Sequence, residues 1–193
     1  LPGQPNYDSV INGLYNTNPW DGAGPNTIEF HTGNTLNVGV GATITGNGGP
    51  NTRAEAINII GFNNTIINRG TITSSNRPAI WFQDQQRSGV AGTTNTIDNY
   101  GTISTGLGNS APVIGNNANG SVIFTNRTGG RVVGSLQFAG GNDQLTLEAG
   151  SGLTRSFDGG RGTHTPTPSG AAGSGGTPAG GTPHPFLPGG KAS

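Results

Sequence analysis

One phrase of nine residues constrains this chain more than anything else in it. Asn64-Thr65-Ile66-Ile67-Asn68-Arg69-Gly70-Thr71-Ile72 returns as Asn95-Thr96-Ile97-Asp98-Asn99-Tyr100-Gly101-Thr102-Ile103, 31 residues on. Each copy reads as a short strand, a bend at glycine and a second short strand. A looser echo, Asn34-Thr35-Leu36-Asn37-Val38, starts 30 residues before the first copy. Self-similarity at such a period marks a repeat architecture, in which no unit buries its apolar face alone and neighbours must stack.

A third strand follows the phrase in each unit: Glu55-Ala56-Ile57-Asn58-Ile59, Pro78-Ala79-Ile80-Trp81-Phe82 and Pro112-Val113-Ile114. Three short strands separated by bends make a three-sided coil. Coils stack when each strand pairs in parallel with its equivalent in the next. Parallel crossovers are overwhelmingly right-handed, so the expected fold is all-β, a single-stranded right-handed parallel β-helix. About five rungs are legible, a stack only ~24 Å tall at ~4.8 Å per rung. Within it, Ile66 and Ile97 should form one inward column, and Ile72 and Ile103 another. Asn64 with Asn95, and Asn68 with Asn99, should form ladders of stacked side chains that hydrogen-bond along the stack. Alternation puts Asn58 and Trp81 on the outer surface, between inward Ile57/Ile59 and Ile80/Phe82.

The sequence divides into three parts. Residues 1–25 hold four prolines and read as an irregular N-terminal cap or docking segment, since an open first rung needs cover. Residues 26–161 are the repeat region. Residues 162–193 contain nine glycines and six prolines and read as a Gly/Pro-rich tail, too poor in apolar side chains to offset ordering entropy. Pro166 and Pro168 stand where a further rung would need ladder donors, so the stack is expected to end near Gly160. If copies associate end to end, Trp20 and Tyr15 near one terminus and Phe186 and Leu187 near the other are the candidate joints.

Composition removes several functions. Charged residues make up 9% of the chain, against roughly 25% in ordinary domains, and nine basic residues balance nine acidic ones. No basic stripe exists to hold nucleic acid or an anionic membrane surface. No apolar run reaches the ~18–20 residues of a membrane-spanning helix. The 37 glycines and 22 asparagines suit dense tight turns, because both tolerate positive φ. Cysteine is absent, so repetition and packing must supply stability. Methionine is absent too, which fits a processed, exported chain.

The stretch from Asn64 to Gly160 resembles bacterial autotransporter passenger domains. The phrase N-T-I-x-N-x-G-T-I at Asn64–Ile72 and Asn95–Ile103 carries that resemblance. So does Phe138-Ala139-Gly140-Gly141-Asn142-Asp143-Gln144-Leu145-Thr146-Leu147, followed by Gly150-Ser151 and Phe157-Asp158-Gly159-Gly160. It covers about half the chain and lacks the family's C-terminal β-barrel. It implies a secreted or cell-surface β-helix with a structural or adhesive role, whose partners are further copies of itself or surface glycans. These motifs are repeat-structural, so they speak to fold more than to activity.

Catalytic signatures are sparse. Gly140-Gly141-Asn142-Asp143 looks like part of a calcium-binding repeat, but the second copy, Gly159-Gly160-Arg161-Gly162-Thr163-His164, has no Asp, and a plain β-turn explains the glycines. His31, His164 and His184 lack metal-ligand spacing, and no cofactor is implied. β-Helices also serve as polysaccharide-cleaving enzymes, which need clustered carboxylates on one outer face. Here Arg53, Glu55, Asp84 and Arg87 are the candidates, with Arg53 and Glu55 two apart on one strand face; a solvated ion pair is the favoured explanation of them. Trp81, beside Asn58, is the outward aromatic surface on which a sugar or partner can stack. Arg69 and Tyr100 share an outward position and can form at most a weak cation–π pair.

Overall fold

The computed structural model describes residues 8–11, 14–16, 27–30, 32–46, 55–83, 93–108, 111–116, 120–138, 140–159 and 165–168. Among these the chain is all-β and contains no helix. The first pass comprises β1 (Asp8–Ile11), β2 (Leu14–Asn16) and β3 (Ile28–Phe30). The second comprises β4 (Thr35–Val38), β5 (Thr43–Gly46) and β6 (Ile57–Ile59). Next come β7 (Thr65–Asn68), β8 (Thr71–Ser74) and β9 (Ile80–Phe82), then β10 (Thr94–Asn99), β11 (Thr102–Thr105) and β12 (Pro112–Asn116). They are followed by β13 (Ser121–Asn126), β14 (Arg131–Val133) and β15 (Ser135–Gln137), then β16 (Gln144–Leu147), β17 (Gly152–Leu153) and β18 (Phe157–Asp158), and last β19 (Thr165–Pro168).

Every third strand pairs in parallel, which generates three sheets. Sheet A runs β1-β4-β7-β10-β13-β16-β19, sheet B runs β2-β5-β8-β11-β14-β17, and sheet C runs β3-β6-β9-β12-β15-β18. The two copies of the phrase lie in register, Ile66 with Ile97 and Ile72 with Ile103. Strand addition reaches further along the chain than the phrase does. Within residues 1–25, β1 pairs with β4 and β2 with β5, so this stretch meets the stack as paired backbone. Beyond Gly160, where pairing was expected to stop, β19 pairs with β16.

Period-two alternation decides what is buried. Strands β4, β5, β7, β8, β10 and β11 each alternate half-buried with fully buried residues. The buried positions align as columns: Leu36, Ile66, Ile97, Phe124 and Leu145 in sheet A, and Ile44, Ile72, Ile103 and Val132 in sheet B. Ile57, Ile80, Ile114 and Leu136 form the corresponding column of sheet C. All thirteen belong to one continuous core. Burying such a side chain contributes roughly 1.5–3 kcal/mol, so the columns supply the main cohesion between rungs.

The corner between sheets A and B comes in two lengths. After Asn68 and Asn99 the chain turns through two residues, Arg69-Gly70 and Tyr100-Gly101. A Cβ at Gly70 would fall on the Ala42 carbonyl oxygen, and one at Gly101 on the Gly70 carbonyl oxygen, so the short corner requires glycine. After Val38, Asn126 and Leu147 four residues intervene, and the extra turn places Gly41, Gly129 and Gly150 at positive φ (78°, 84° and 77°).

Candidate functional site

The outer face of sheet C carries the column Glu29, Asn58, Trp81 and Gly115, one residue per rung. Trp81 is half-buried, between fully buried Ile80 and Phe82. Its indole lies against the backbone of the next rung because Gly115 has no side chain there. A Cβ on Gly115 would stand 2.5 Å from Trp81 Cζ3 and 3.1 Å from Pro78 Cγ. Glycine inside a strand marks such a close approach. The Arg77 guanidinium carbon lies 5.9 Å from the indole centroid. Arg77 Nε donates to Glu55 Oε1 at 3.0 Å, which fixes the cation beside the ring. On the other side Asn58 Nδ2 donates to Gln83 Oε1 at 3.1 Å and to Glu29 Oε2 at 3.4 Å. An aromatic plate is thus flanked by a guanidinium, amides and carboxylates, the groups that bind a ring with apolar faces and hydroxyl edges.

The structure brings together part of the set expected from sequence. Trp81, Asn58 and Glu55 lie on this face. Asn58 keeps the outward register position but is only 3% exposed, because Glu29 and Gln83 close over its amide. Glu55, also buried, pairs with Arg77, a residue that sequence reasoning did not single out. Arg53, Asp84, Arg87, Trp20, Phe186 and Leu187 lie outside the described residues. Tyr15 belongs to β2, in register with Ile44.

The ladder residues are all buried, with Ile66, Ile72, Ile97 and Ile103 at zero exposure. Their asparagines form two distinct columns. At the corner leading into sheet A, Asn64 Oδ1 accepts the main-chain N–H of Asn34 at 2.9 Å, and Asn95 Oδ1 accepts that of Asn64 at 3.0 Å. The next position is Val122, whose own N–H donates to Asp143 Oδ1 at 2.8 Å. Asp143, which resembled a calcium ligand in sequence, thus serves inside the stack. At the corner leaving sheet A, Asn68 Nδ2 donates to Asn99 Oδ1 and Asn99 Nδ2 to Asn126 Oδ1, both at 2.8 Å. Asn126 Nδ2 closes that series on the Gly152 carbonyl at 2.9 Å.

Outside this second column runs a polar network. Arg69 and Arg127 lie over the Tyr100 ring, 4.9 Å and 5.8 Å from its centroid, and Tyr100 remains 41% exposed. Arg127 donates to Asp98 Oδ1 through Nη2 at 2.6 Å and Nε at 2.9 Å, and to Glu148 Oε1 through Nη1 at 2.8 Å. Hydrogen bonds from the Arg127 side chain, then from the Thr128 N–H, hold the Glu148 carboxyl below the usual carboxylate range. Bonds to Glu148 and then Asp98 push the guanidinium still higher than its ordinary value. Sequence reasoning found the Arg69–Tyr100 contact and missed Arg127. Its signal was position: Arg127 follows Asn126 as Arg69 follows Asn68 and Tyr100 follows Asn99.

Set against protein-family models, curated proteins and solved structures, the chain matches none of them.

Proposed function

We propose that this chain is a right-handed parallel β-helix of the autotransporter-passenger type, secreted or displayed on a bacterial surface, that acts without catalysis as a structural and adhesive element. Handedness follows from the general preference of parallel crossovers. Among the described residues, counting each pass through the three sheets as a rung gives six rungs and one further strand, against about five legible in sequence, because β1, β2 and β19 add to the count. The adhesive part rests on one observation above the others: the Trp81 indole laid on Gly115, between Arg77 and the Asn58–Gln83 amides. The ligand class that suits it is a glycan, whose sugar ring stacks on the indole while its hydroxyls meet the flanking polar groups.

The enzyme alternative is weakened by Glu55, whose Oε1 accepts the Arg77 Nε–H at 3.0 Å. The test is a screen of the purified chain against plant, bacterial and host polysaccharides, scoring retention and release of new chain ends. Retention without cleavage, reduced about tenfold or more by Trp81→Ala, is expected for loss of one stacking contact of ~1.4 kcal/mol. Release of chain ends, abolished by Glu55→Gln, would replace the adhesin with an enzyme. Binding that survives Trp81→Ala, or no binding to any glycan, would sink the platform.

A further inference from the structure

Among the described residues, the last strand of sheet A has a hydrogen-bonding capacity that differs from that of the sheet A strands beneath it. In sheet A, hydrogen-bonding direction alternates along each strand. Thr65 N–H donates back to the Asn34 carbonyl and Thr96 N–H to the Asn64 carbonyl, at 2.8 Å each. Arg127 N–H donates back to Asn99 and Glu148 N–H back to Asn126. Positions two apart share a direction, so Gln144, Thr146 and Glu148 address the preceding rung, and Leu145 and Leu147 the following one. Side-chain alternation has the same period. The buried column Leu36, Ile66, Ile97, Phe124, Leu145 therefore coincides with the positions whose N–H groups point forward.

Strand β19 continues this register. Thr165 aligns with Gln144, Pro166 with Leu145, Thr167 with Thr146 and Pro168 with Leu147. Thr165 and Thr167 thus occupy the positions that donate back to β16, and there the donors are present. Pro166 and Pro168 occupy the forward-facing positions, and proline has no N–H. Sequence reasoning took these prolines to forbid pairing altogether. Their spacing of two instead confines the loss to one edge, the place where sheets tolerate proline.

We propose that the Thr-Pro-Thr-Pro strand is a built-in stop: it seals onto β16 and closes sheet A to addition of any further parallel strand, including β1 (Asp8–Ile11) of a second copy of this chain. A strand laid on β19 meets the carbonyls of Pro166 and Pro168 but no donors there, and half of its ladder bonds are missing. Pro166 also stands at the register position that follows Leu145 in the sheet A column. Exposed edges invite end-to-end association unless blocked in some such way. Head-to-tail addition through the sheet A edge is thereby opposed, and contacts between copies must use other edges or surfaces.

The test compares solution mass against protein concentration, by light scattering, for the wild-type chain and for Pro166→Leu/Pro168→Leu. Leucine keeps the apolar character and restores both donors. The variant is expected to rise about twofold or more in mass as concentration increases, where wild type does not rise through this end. Identical curves for the two proteins would overturn the proposal, as would wild-type rods joined through β19. Hydrogen exchange on the wild-type chain checks the register separately. Thr165 and Thr167 amides should be protected, and exchange at the rate of an unpaired peptide would also overturn it. Neither readout depends on Trp81 or on glycan binding, so the adhesive reading can fail while this one stands.

Discussion

The two asparagine columns use one residue type for two different jobs. In the column entering sheet A, a side-chain oxygen accepts the main-chain N–H of the rung before it, as Asn95 Oδ1 does for Asn64 and Asp143 Oδ1 for Val122. Asn34 Nδ2 and Asn64 Nδ2 also donate to the Oδ1 of the next rung, at 3.3 and 3.1 Å, but the main-chain part of the job needs only an acceptor, so Asp143 can take it over at Val122. In the column leaving sheet A, Asn99 and Asn126 accept from the rung before and donate to the next, Asn68 accepts the Gly70 N–H of its own turn and donates to Asn99, and each Nδ2 makes a second bond to a carbonyl: Thr102 for Asn68, Arg131 for Asn99, Gly130 for Asn126. That job needs a donor and an acceptor on one side chain, and among the small residues only asparagine supplies both at that reach. The first column is interrupted at Val122 without loss of the stack. The second runs unbroken from Asn68 to Asn126.

Asn99→Asp should expose this difference most sharply. The carboxylate would lose the bond to Asn126 Oδ1 and face that oxygen instead, in a site with zero exposure. A buried unsatisfied group and an uncompensated charge together cost about 3 kcal/mol or more. For a chain of this size that lowers the melting temperature by roughly 6–12 °C, read by calorimetry. Asn95→Asp keeps the acceptor for Asn64 and loses only the Nδ2 bond to the Gly61 carbonyl at 3.0 Å. Its expected cost is smaller, about 1 kcal/mol, the net worth of one such bond. Equal losses for the two variants would show that the columns do one job after all.

Val122→Asn should have less effect again. It places an acceptor above Asn95 and gives up one buried apolar side chain. The hydrogen bond gained, about 1 kcal/mol, offsets most of the roughly 1.5 kcal/mol that burying a valine contributes, so the melting temperature should hold within a few degrees. A severe loss would mean that the site has no room for a continued column.

This contrast marks how far the sequence could be read. The phrase made the three-strand coil, its inward isoleucines and the stacking of Asn68 on Asn99 legible, because all follow from a period of two inside a period near 31. What each asparagine does was not legible, since it depends on which neighbouring rung its amide reaches, and Val122 and Asp143 share no letter with Asn95. The β19 strand was misjudged for a related reason: proline was weighed as a residue type rather than by the direction its missing N–H would have faced. On the outer face, Trp81 was visible as an alternating aromatic in a strand. Its support was not, because Gly115 lies a whole rung later and Arg77 sits in the bend before the strand.

The smallest expected effect concerns pH and falls on one column alone. Glu148 is held below its ordinary value by Arg127, so its ionised form is favoured in the folded state. Its contribution is therefore fully present above the unfolded carboxylate value of about 4.3 and fades as pH falls through the lower folded value. Arg127 stays charged throughout that range, so the loss comes from the carboxyl side. Glu148 is partly solvated, and screening keeps the stability change small. The readout is accordingly local: side-chain amide signals followed by NMR from neutral to acid pH. Arg127 directly follows Asn126, so the Asn126 amide should shift as Glu148 titrates, while the Asn64 amide, in the other column and two rungs away, should stay put. In Glu148→Gln the Asn126 shift should vanish over the same window. A shift of Asn64 matching that of Asn126 would show that acid loosens the whole stack, and the two corners would then be mechanically one.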